Sequence, residues 1–233
     1  MVGKCNKAAG FDVAIENPGA FFGFLLAENL KKADISVQGS LVEKYLSDRH
    51  EINVLRVYDT SLADVLERCN KNSLGLAAEA LVKTISAEKT KGKINGEWPH
   101  GLELIARYLE QLGIERKEFT LDDGSGLSRM NRLTPNVLTT VLLYVYNSKS
   151  RQFYMDTLAV GGRDGTIAKY FKDAEYTGRV RGKTGYVRGV RSFSGFCQTS
   201  KGDYIFSILT QGGDGHVRAA INDIVKAIID NAG

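Results

Sequence analysis

The sequence has 233 residues, of which 43% are hydrophobic and 25% are charged, proportions that fit a folded globular protein and argue against collagen, coiled-coil and disordered classes. A formal net charge of +4 is too small to indicate a nucleic-acid-binding protein by itself. No apolar run approaches the roughly 20 residues of a membrane-spanning helix, and three widely spaced cysteines without a C-x-x-C pair favour neither a disulfide framework nor a zinc site.

Helix signals dominate the first two thirds of the chain. Asn17 is placed to cap a helix whose first residue is Pro18, and Ser61 with Asp64 resembles a capping box. Together with apolar residues at helical spacing, these signals predict helices at 17–34, 61–70, 73–85, 98–112 and 134–145. The charged, Gly-containing segment 86–96 is predicted to be an exposed loop.

Strand signals are concentrated in the last third. Alternating apolar residues predict short early strands at 35–42 and 52–57 and three later strands at 179–184, 187–198 and 204–210. A tight turn at 200–203 predicts that the last two strands form an antiparallel hairpin, and a final helix is predicted at 217–229. The expected fold class is therefore α/β of the α+β type, with an antiparallel sheet flanked by helices.

The segment Arg179-Val-Arg-Gly-Lys-Thr-Gly185 is the sharpest local feature. A phosphate-binding P-loop requires G-x-x-x-x-G-K-[ST], but only three residues separate Gly178 from Gly182 here. Three interpretations stay open: a charged strand with a solvated face, a basic stripe from Arg179 to Arg191 that binds anions or nucleic acid, and the Lys-Thr-Gly strand of penicillin-recognising serine acyl-transferases.

The third interpretation has a chemical basis in its residue types. A lysine ammonium attracts a substrate carboxylate and strengthens the field at a nucleophile, and a threonine hydroxyl donates a hydrogen bond to the same carboxylate. A glycine allows a peptide backbone to lie against the strand edge. These roles would fall to Lys183, Thr184 and Gly185.

Five ordered segments carry a family resemblance from about Asn17 to the C-terminus. They are Asn17-Pro18, Asn70-Lys-Asn-Ser-Leu-Gly-Leu-Ala-Ala-Glu79, Asp123-Gly-Ser-Gly-Leu-Ser-Arg129 with Asn131 and Thr134-Pro135, Leu158-Ala-Val-Gly-Gly-Arg-Asp-Gly-Thr166, and Arg181-Gly-Lys-Thr-Gly185 with Gly189-Val-Arg and Ser194-Gly195. In this pattern the chain resembles the C-terminal part of the D-alanyl-D-alanine carboxypeptidase/endopeptidase family of penicillin-binding protein 4 (peptidase family S13).

The resemblance implies the C-terminal part of a penicillin-binding-protein/β-lactamase-like transpeptidase fold. Residues 17–233 would belong to that domain, and residues 1–16 would be the remnant of a preceding or inserted region. The implied activity is serine-type hydrolysis of peptidoglycan stem peptides ending in D-Ala-D-Ala, with β-lactams as inhibitors and without a metal or cofactor. The implied location is periplasmic or otherwise extracytoplasmic, although no signal peptide, transmembrane segment or nucleic-acid partner is expected for this chain.

The resemblance also assigns roles and exposes two departures. Lys183 and Ser73 would be catalytic, with Ser73 relaying a proton to the leaving amine, and Thr184, Gly185 and Gly75 would contact substrate. Gly75 stands where the family has the asparagine of S-x-N, which helps hold the substrate amide, so catalysis is expected to be weakened.

The second departure concerns the nucleophile. The family's acylated serine lies in an S-x-x-K motif, whose sole match here is Ser86-Ala-Glu-Lys89. This match follows the S-x-N-like segment instead of preceding it, so we interpret it as a chance occurrence. The nucleophile segment is therefore expected to lie outside this chain.

We expect structural roles for the remaining polar candidates. Asp122 and Asp123 are expected to brace a turn and Asp164 to brace a loop, while the histidines at 50, 100 and 216 have no metal-ligand spacing and are expected at the surface or in caps. Cys197 is expected in the core.

Two alternative functions belong to other classes. One is a catalytically inactive homologue that binds peptidoglycan or β-lactams, favoured by Gly75 and the missing nucleophile. The other is an anion- or nucleic-acid-binding module that uses the basic stripe.

Overall fold

The computed structural model describes residues 15–40, 42, 53, 56–93, 95–212 and 216–232. The chain divides into two compact units, Met1–Tyr58 and Asp59–Gly233. None of the helices among the described residues combines the length and apolar character needed to span a bilayer.

The first unit contains helix α1, Pro18–Lys32, with the predicted cap confirmed: the Asn17 side chain accepts a hydrogen bond of 2.9 Å from the amide of Ala20. The strand predicted at 35–42 is wrong over its described residues, 35–40 and 42, which form no strand. No strand pairing is recorded for them, and Gly39 adopts a φ of +105° that interrupts an extended run. Half of the strand predicted at 52–57 lies outside the described residues, since 52, 54 and 55 are not among them, and the described positions 53, 56 and 57 form no strand.

Six further α-helices lie among the described residues of the second unit. They are α2 Leu62–Asn72, α3 Gly75–Lys89, α4 Trp98–Gln111, α5 Pro135–Tyr146, α6 Arg151–Thr157 and α7 His216–Asn231. The capping signals explain three of their boundaries. The Ser61 hydroxyl accepts a hydrogen bond from the amide of Asp64 and donates one to the Asp64 carboxylate. Thr134 caps the start of α5. Gly113, just after the end of α4, has a left-handed backbone conformation with φ +84°.

The predicted antiparallel sheet is confirmed and gains an additional short strand. Its order is β3-β4-β5-β6, and its members are β3 Ala159–Val160, β4 Val180–Val187, β5 Val190–Thr199 and β6 Gly202–Gln211. A separate two-stranded ribbon pairs β1, Phe119–Thr120, with β2, Arg132–Leu133. The fold is therefore of the α+β type, as predicted.

Helices cover both faces of this sheet. On one face, Val180 and Phe193 form a core with Ile221, Val225 and Ile229 of α7. On the other, Phe196 packs with Leu142 and Leu158 near α5 and α6. Burial of each of these large side chains contributes about 1.5–3 kcal/mol. The alternation along β5 thus predicts correctly that Cys197, which is 1% exposed, lies in the core.

The loop predicted at 86–96 is partly wrong. Helix α3 begins at Gly75 and continues to Lys89, so it includes Ser86, which is fully buried. The amide of Glu97 donates to the Ser86 hydroxyl, which also bonds the Nδ1 atom of His100 at 2.9 Å. These tertiary bonds stabilise a turn of helix whose charged sequence suggests a loop.

Candidate active site

Lys183 and Ser73 meet between the sheet and the end of α2. The ammonium of Lys183, on β4, donates to the Ser73 hydroxyl and to the carbonyl oxygen of Thr184. Ser73 is the residue that terminates α2, and it adopts left-handed geometry with φ 55° and ψ 40°. Its side chain is exposed, so the hydroxyl can reach both the lysine and a ligand in solvent.

Burial changes the proton affinity of this lysine. Removal from solvent lowers the pKa of Lys183, and a smaller electrostatic interaction with Cys69 opposes that change. Burial likewise raises the pKa of the Cys69 thiol, while Lys183 lowers it to a smaller extent. A lysine with a lowered pKa gives up its proton more readily than an exposed one. The Lys183–Ser73 pair can therefore attract a carboxylate and pass protons through a hydroxyl.

Side chains of α2 hold Ser73 in place. The amide of Asn70 donates to the Thr157 hydroxyl at 2.8 Å, and the Lys71 ammonium lies 3.1 Å from the Asp164 carboxylate. Asp164 in turn accepts a 2.7 Å hydrogen bond from the amide of Val160. The predicted role of Asp164 as a loop brace is thus observed, and the brace also joins the loop to α2.

The edge of β4 beside Lys183 is partly open. Strand β3 pairs with β4 at Arg181 and Gly182 alone, so no strand within the described part of the chain pairs with that edge from 183 to 187. The Thr184 hydroxyl donates to the hydroxyl of Thr166 at 2.9 Å. An open strand edge offers backbone groups to an extended peptide, and here a lysine and two hydroxyl groups lie beside it.

At two glycines near the Lys183–Ser73 pair, neighbouring atoms leave little room for a side chain. A Cβ atom at Gly185 would contact the Ser192 hydroxyl on the neighbouring strand. At Gly75, a Cβ atom would lie 3.2 Å from the Cβ atom of Ser125. The structure therefore brings together Ser73, Lys183, Thr184 and Gly185, and it places Gly75 against the loop that contains Ser125.

The carboxylates of Glu79 and Asp123 stabilise the conformation of that loop, which runs from Asp122 to Ser128. Glu79 of α3 accepts hydrogen bonds of 3.0 Å from the amides of Gly124 and Ser125. Asp123 accepts hydrogen bonds of 2.7 Å from the amides of Gly126 and Ser128. The loop conformation next to Gly75 thus depends on acidic side chains as well as on its glycines.

The hydrogen bonds set the ionisation of both carboxyl groups. Burial alone would raise the pKa of Glu79, but hydrogen bonds from Ser125, Gly124 and Trp98 outweigh it and hold the pKa below its ordinary value. Asp123 behaves in the same way, because bonds from Asn131, Ser128 and Gly126 outweigh burial and lower its pKa. Both groups therefore favour the carboxylate form, which is the form that accepts these bonds.

Sequence reasoning missed three contributors to this region. Glu79 and Thr166 lie within the matched segments, but the sequence predicted no role for either, and it predicted no place in the site for Cys69, one of the three widely spaced cysteines. The signal for Cys69 is its position one helical turn before Ser73. The signal for Glu79 is less direct, because its loop partners are about 45 residues away in sequence.

The remaining sequence candidates lie elsewhere. Ser86 of the S-x-x-K match is buried against His100, His216 starts α7, and position 50 lies outside the described residues. Among the residues that the structure describes, no three His, Cys, Asp or Glu side chains cluster as a metal site would require.

The basic residues from 179 to 191 do not share one surface. Arg181 and Lys183 lie on one face of β4, whereas Arg191 is opposite Tyr186, which alternation places on the other face. Arg179 donates to the carbonyl oxygens of Gln198 and Glu175. This arrangement does not favour a continuous nucleic-acid-binding stripe.

Comparisons with known proteins identify relatives over nearly the whole chain. The family model described as "D-Ala-D-Ala carboxypeptidase 3 (S13) family" matches residues 2–232. A D-alanyl-D-alanine carboxypeptidase of Actinomadura sp. (strain R39) is 30% identical over 91% of this chain and 40% of its own length. The D-alanyl-D-alanine carboxypeptidase DacB of Haemophilus influenzae is 24% identical over 85% of this chain and 41% of its own length.

A solved structure supports the same fold. Penicillin-binding protein 4 (dacB) of Haemophilus influenzae, complexed with a β-lactam, aligns with a TM-score of 0.72 and 22% identity over 94% of this chain and 52% of that chain. This chain thus has a penicillin-binding-protein-like fold, and it spans about two fifths of the length of the curated relatives it matches.

Proposed function

Because the chain belongs to the D-Ala-D-Ala carboxypeptidase 3 (S13) family, we propose that it forms the carboxylate-binding part of a serine-type D-Ala-D-Ala carboxypeptidase/endopeptidase. The substrate is a peptidoglycan stem peptide that ends in D-Ala-D-Ala, and β-lactams compete for the same site. The contact between Lys183 and Ser73 beside the open edge of β4 carries the proposal.

Each residue contributes a distinct interaction. The Lys183 ammonium and the Thr184 hydroxyl bind the terminal carboxylate, while the edge of β4 at Gly185 pairs with the peptide backbone. Gly75 leaves space at the position where the family has an amide side chain. These interactions fix the peptide bond that is to be cleaved relative to Ser73.

The reaction proceeds through an acyl-enzyme. A serine hydroxyl attacks the carbonyl carbon of the penultimate D-Ala, its proton enters the Lys183–Ser73 pair, and the C–N bond to the terminal D-Ala breaks. Ser73, bonded to Lys183, delivers the proton that the leaving amine accepts. Water then hydrolyses the ester. No residue of this chain is assigned as the nucleophile, because the Ser86 side chain in its S-x-x-K match is fully buried.

Calorimetric binding of a diacetylated Lys-D-Ala-D-Ala peptide to the full chain tests the proposal. We expect saturable binding, with the L-Ala-L-Ala isomer weaker and Lys183→Ala weakening the D-isomer at least tenfold, since a charge-assisted hydrogen bond is lost. Lys201→Ala, at an exposed lysine in the β5–β6 turn, is the matched control. Equal affinity for both isomers, or for wild type and Lys183→Ala, would overturn the assignment.

A second candidate function is a non-catalytic homologue that binds the same ligands. Gly75, in place of the family's asparagine, and the buried Ser86 favour it. Intact-mass measurement after incubation with penicillin separates the two functions. A covalent adduct would show that a serine of this chain other than the buried Ser86 is acylated and would support the enzyme, whereas peptide binding without an adduct supports a binding role for this chain. Both functions act on peptidoglycan, so an extracytoplasmic location is part of the proposal.

A further inference from the structure

A groove lies between one face of α4 and the segment that leads from α4 to the Asp122–Ser128 loop. Its volume is about 510 Å³, within the range of about 300–1,000 Å³ that is typical of small-ligand sites. Leu102 and Trp98 line it together with the largely buried Ala106 and Phe119. None of these residues belongs to the Lys183–Ser73 site.

The indole of Trp98 is both exposed and held in orientation. Trp98 is 47% exposed, and its ring N–H donates to the Glu79 carboxylate at 2.8 Å. The Lys83 ammonium lies 4.6 Å from the ring centroid. Since the polar atom of the indole is already bonded, the surface that it offers to a ligand is the apolar ring face that Lys83 does not cover. A ring of this kind stacks well against the C–H face of a pyranose.

Polar groups around the groove are suited to an uncharged ligand. Arg116 lies 3.0 Å from the Glu103 carboxylate and 5.3 Å from the ring centroid of Phe119, so its charge is compensated. Thr120 and Asp122 also line the groove. A compensated cation, two carboxylates and a hydroxyl can bond to sugar hydroxyls, and the two carboxylates disfavour an anionic ligand.

The groove connects directly to the loop that faces Gly75. The Glu79 carboxylate that accepts from Trp98 also accepts from the amides of Gly124 and Ser125. Asp122 lies at the start of the same loop and accepts a hydrogen bond from Ser128. A ligand in the groove would therefore lie at one end of a loop whose middle contacts the candidate active site.

We propose that this groove binds a neutral N-acetylated oligosaccharide, the chemistry of a peptidoglycan glycan strand, by stacking a sugar ring on Trp98. The identification of the glycan rests on the proposed function, but the groove is separate from the Lys183–Ser73 site. The chain then engages the glycan as well as the stem peptide of its substrate.

Titration of the full chain with tetra-N-acetylchitotetraose tests the proposal. Trp98 is the single tryptophan of the sequence, so fluorescence excited selectively at tryptophan, which avoids the ten tyrosines, reports on the groove. We expect a saturable change, and a weaker one with maltotetraose, which has no N-acetyl groups. The Lys183→Ala variant should keep this response while it loses the D-Ala-D-Ala peptide. An absent or unsaturable response would overturn the glycan site even if the peptide still binds.

Calorimetry of two substitutions isolates the stacking contribution. Trp98→Phe and Trp98→Ala both remove the hydrogen bond to Glu79, but Phe retains an aromatic face. We expect Ala to weaken tetrasaccharide binding at least tenfold and Phe to restore part of it. Phe153→Ala, at a comparably exposed aromatic residue (44%) on α6, should have no effect. Equal weakening by Phe and Ala would also contradict stacking.

Discussion

The ammonium of Lys183 donates to the hydroxyl of Ser73 across a sequence separation of 110 residues. One partner projects from β4 and the other terminates α2. The pair thus depends on two independent placements, the face of a strand and the end of a helix.

Replacement of Lys183 by methionine should stabilise the fold at neutral pH, because burial lowers the lysine pKa and thereby disfavours its charged form. The folded state then binds fewer protons than the unfolded state between the two pKa values, so wild-type stability rises with pH there. We expect a Tm gain of about 1–4 °C near pH 7, which shrinks as pH approaches about 10.4, the ordinary lysine pKa. Thermal scans across this pH range are the measurement, with Lys201→Met as control. A gain that does not change with pH would contradict the burial argument.

Ser73 should tolerate glycine better than alanine. Its φ of 55° lies in the left-handed region, which costs a non-glycine residue roughly 1 kcal/mol. Both variants lack the hydroxyl, so their difference isolates the backbone. Urea denaturation should show Ser73→Gly to be more stable than Ser73→Ala by about 1 kcal/mol. Equal stability would mean that the helix end relaxes on substitution.

The stability that Glu79 gives to the Asp122–Ser128 loop should depend on pH. Because hydrogen bonding lowers its folded-state pKa, its stabilising contribution is present above the ordinary glutamate pKa of about 4.3 and is lost as pH falls through the folded-state pKa. Glu79→Gln should cost about 1–3 kcal/mol at pH 7 and remove this part of the pH dependence. Denaturation at several pH values measures both effects. Glu88→Gln, exposed on the same helix, should reproduce neither.

The substitution Gly75→Asn should strengthen peptide binding and lower stability. One added hydrogen bond contributes about 0.5–1.5 kcal/mol, roughly two- to tenfold in affinity. The new Cβ atom would lie 3.2 Å from that of Ser125, so Ser125→Gly should recover stability in the double variant. Calorimetric titration and thermal scans of the two single variants and the double variant test this. Independent, additive effects on stability would show that the two positions do not contact each other.

Two glycines of the sheet should respond very differently to alanine. A Cβ atom at Gly185 meets the Ser192 hydroxyl, which can rotate away, whereas one at Gly195 meets the Arg181 carbonyl and lies 2.6 Å from the Cα atom of Gly182. We expect Gly185→Ala to cost less than about 1.5 kcal/mol and Gly195→Ala to cost about 3 kcal/mol or more. Urea denaturation of the two variants measures both stability losses. Comparable losses would contradict the crowding at Gly195.

Local chemistry predicts much of the fold. The caps at Asn17, Ser61 and Thr134 lead to helices as expected, since a side-chain oxygen next to an apolar run leaves the backbone few alternatives. The early strand predicted at 35–42 failed over its described residues because alternation alone provides no pairing partner. Helix α6 was not predicted, and its seven residues are too few for a clear periodic signal.

The candidate site could be predicted as a set of residues but not as a geometry. Ordered motifs identified Ser73 and Lys183, yet the hydrogen bond between them follows from the packing of α2 against the sheet. Glu79 and Thr166 acquire their roles from partners that are distant in sequence or on another element. No local pattern encodes such contacts.

The order of the sheet has a consequence for how the chain folds. Strands β4, β5 and β6 pair with their sequence neighbours, and α7 follows β6 and packs on them. Closing these short loops costs little chain entropy, whereas joining α2 to β4 closes a much longer one. The sheet with α7 therefore forms a kinetic nucleus, and the Ser73 end of α2 docks onto it late. Regions of low local stability open first in native-state hydrogen exchange, so we expect the amides at the Ser73 end of α2 to exchange before those of the sheet core.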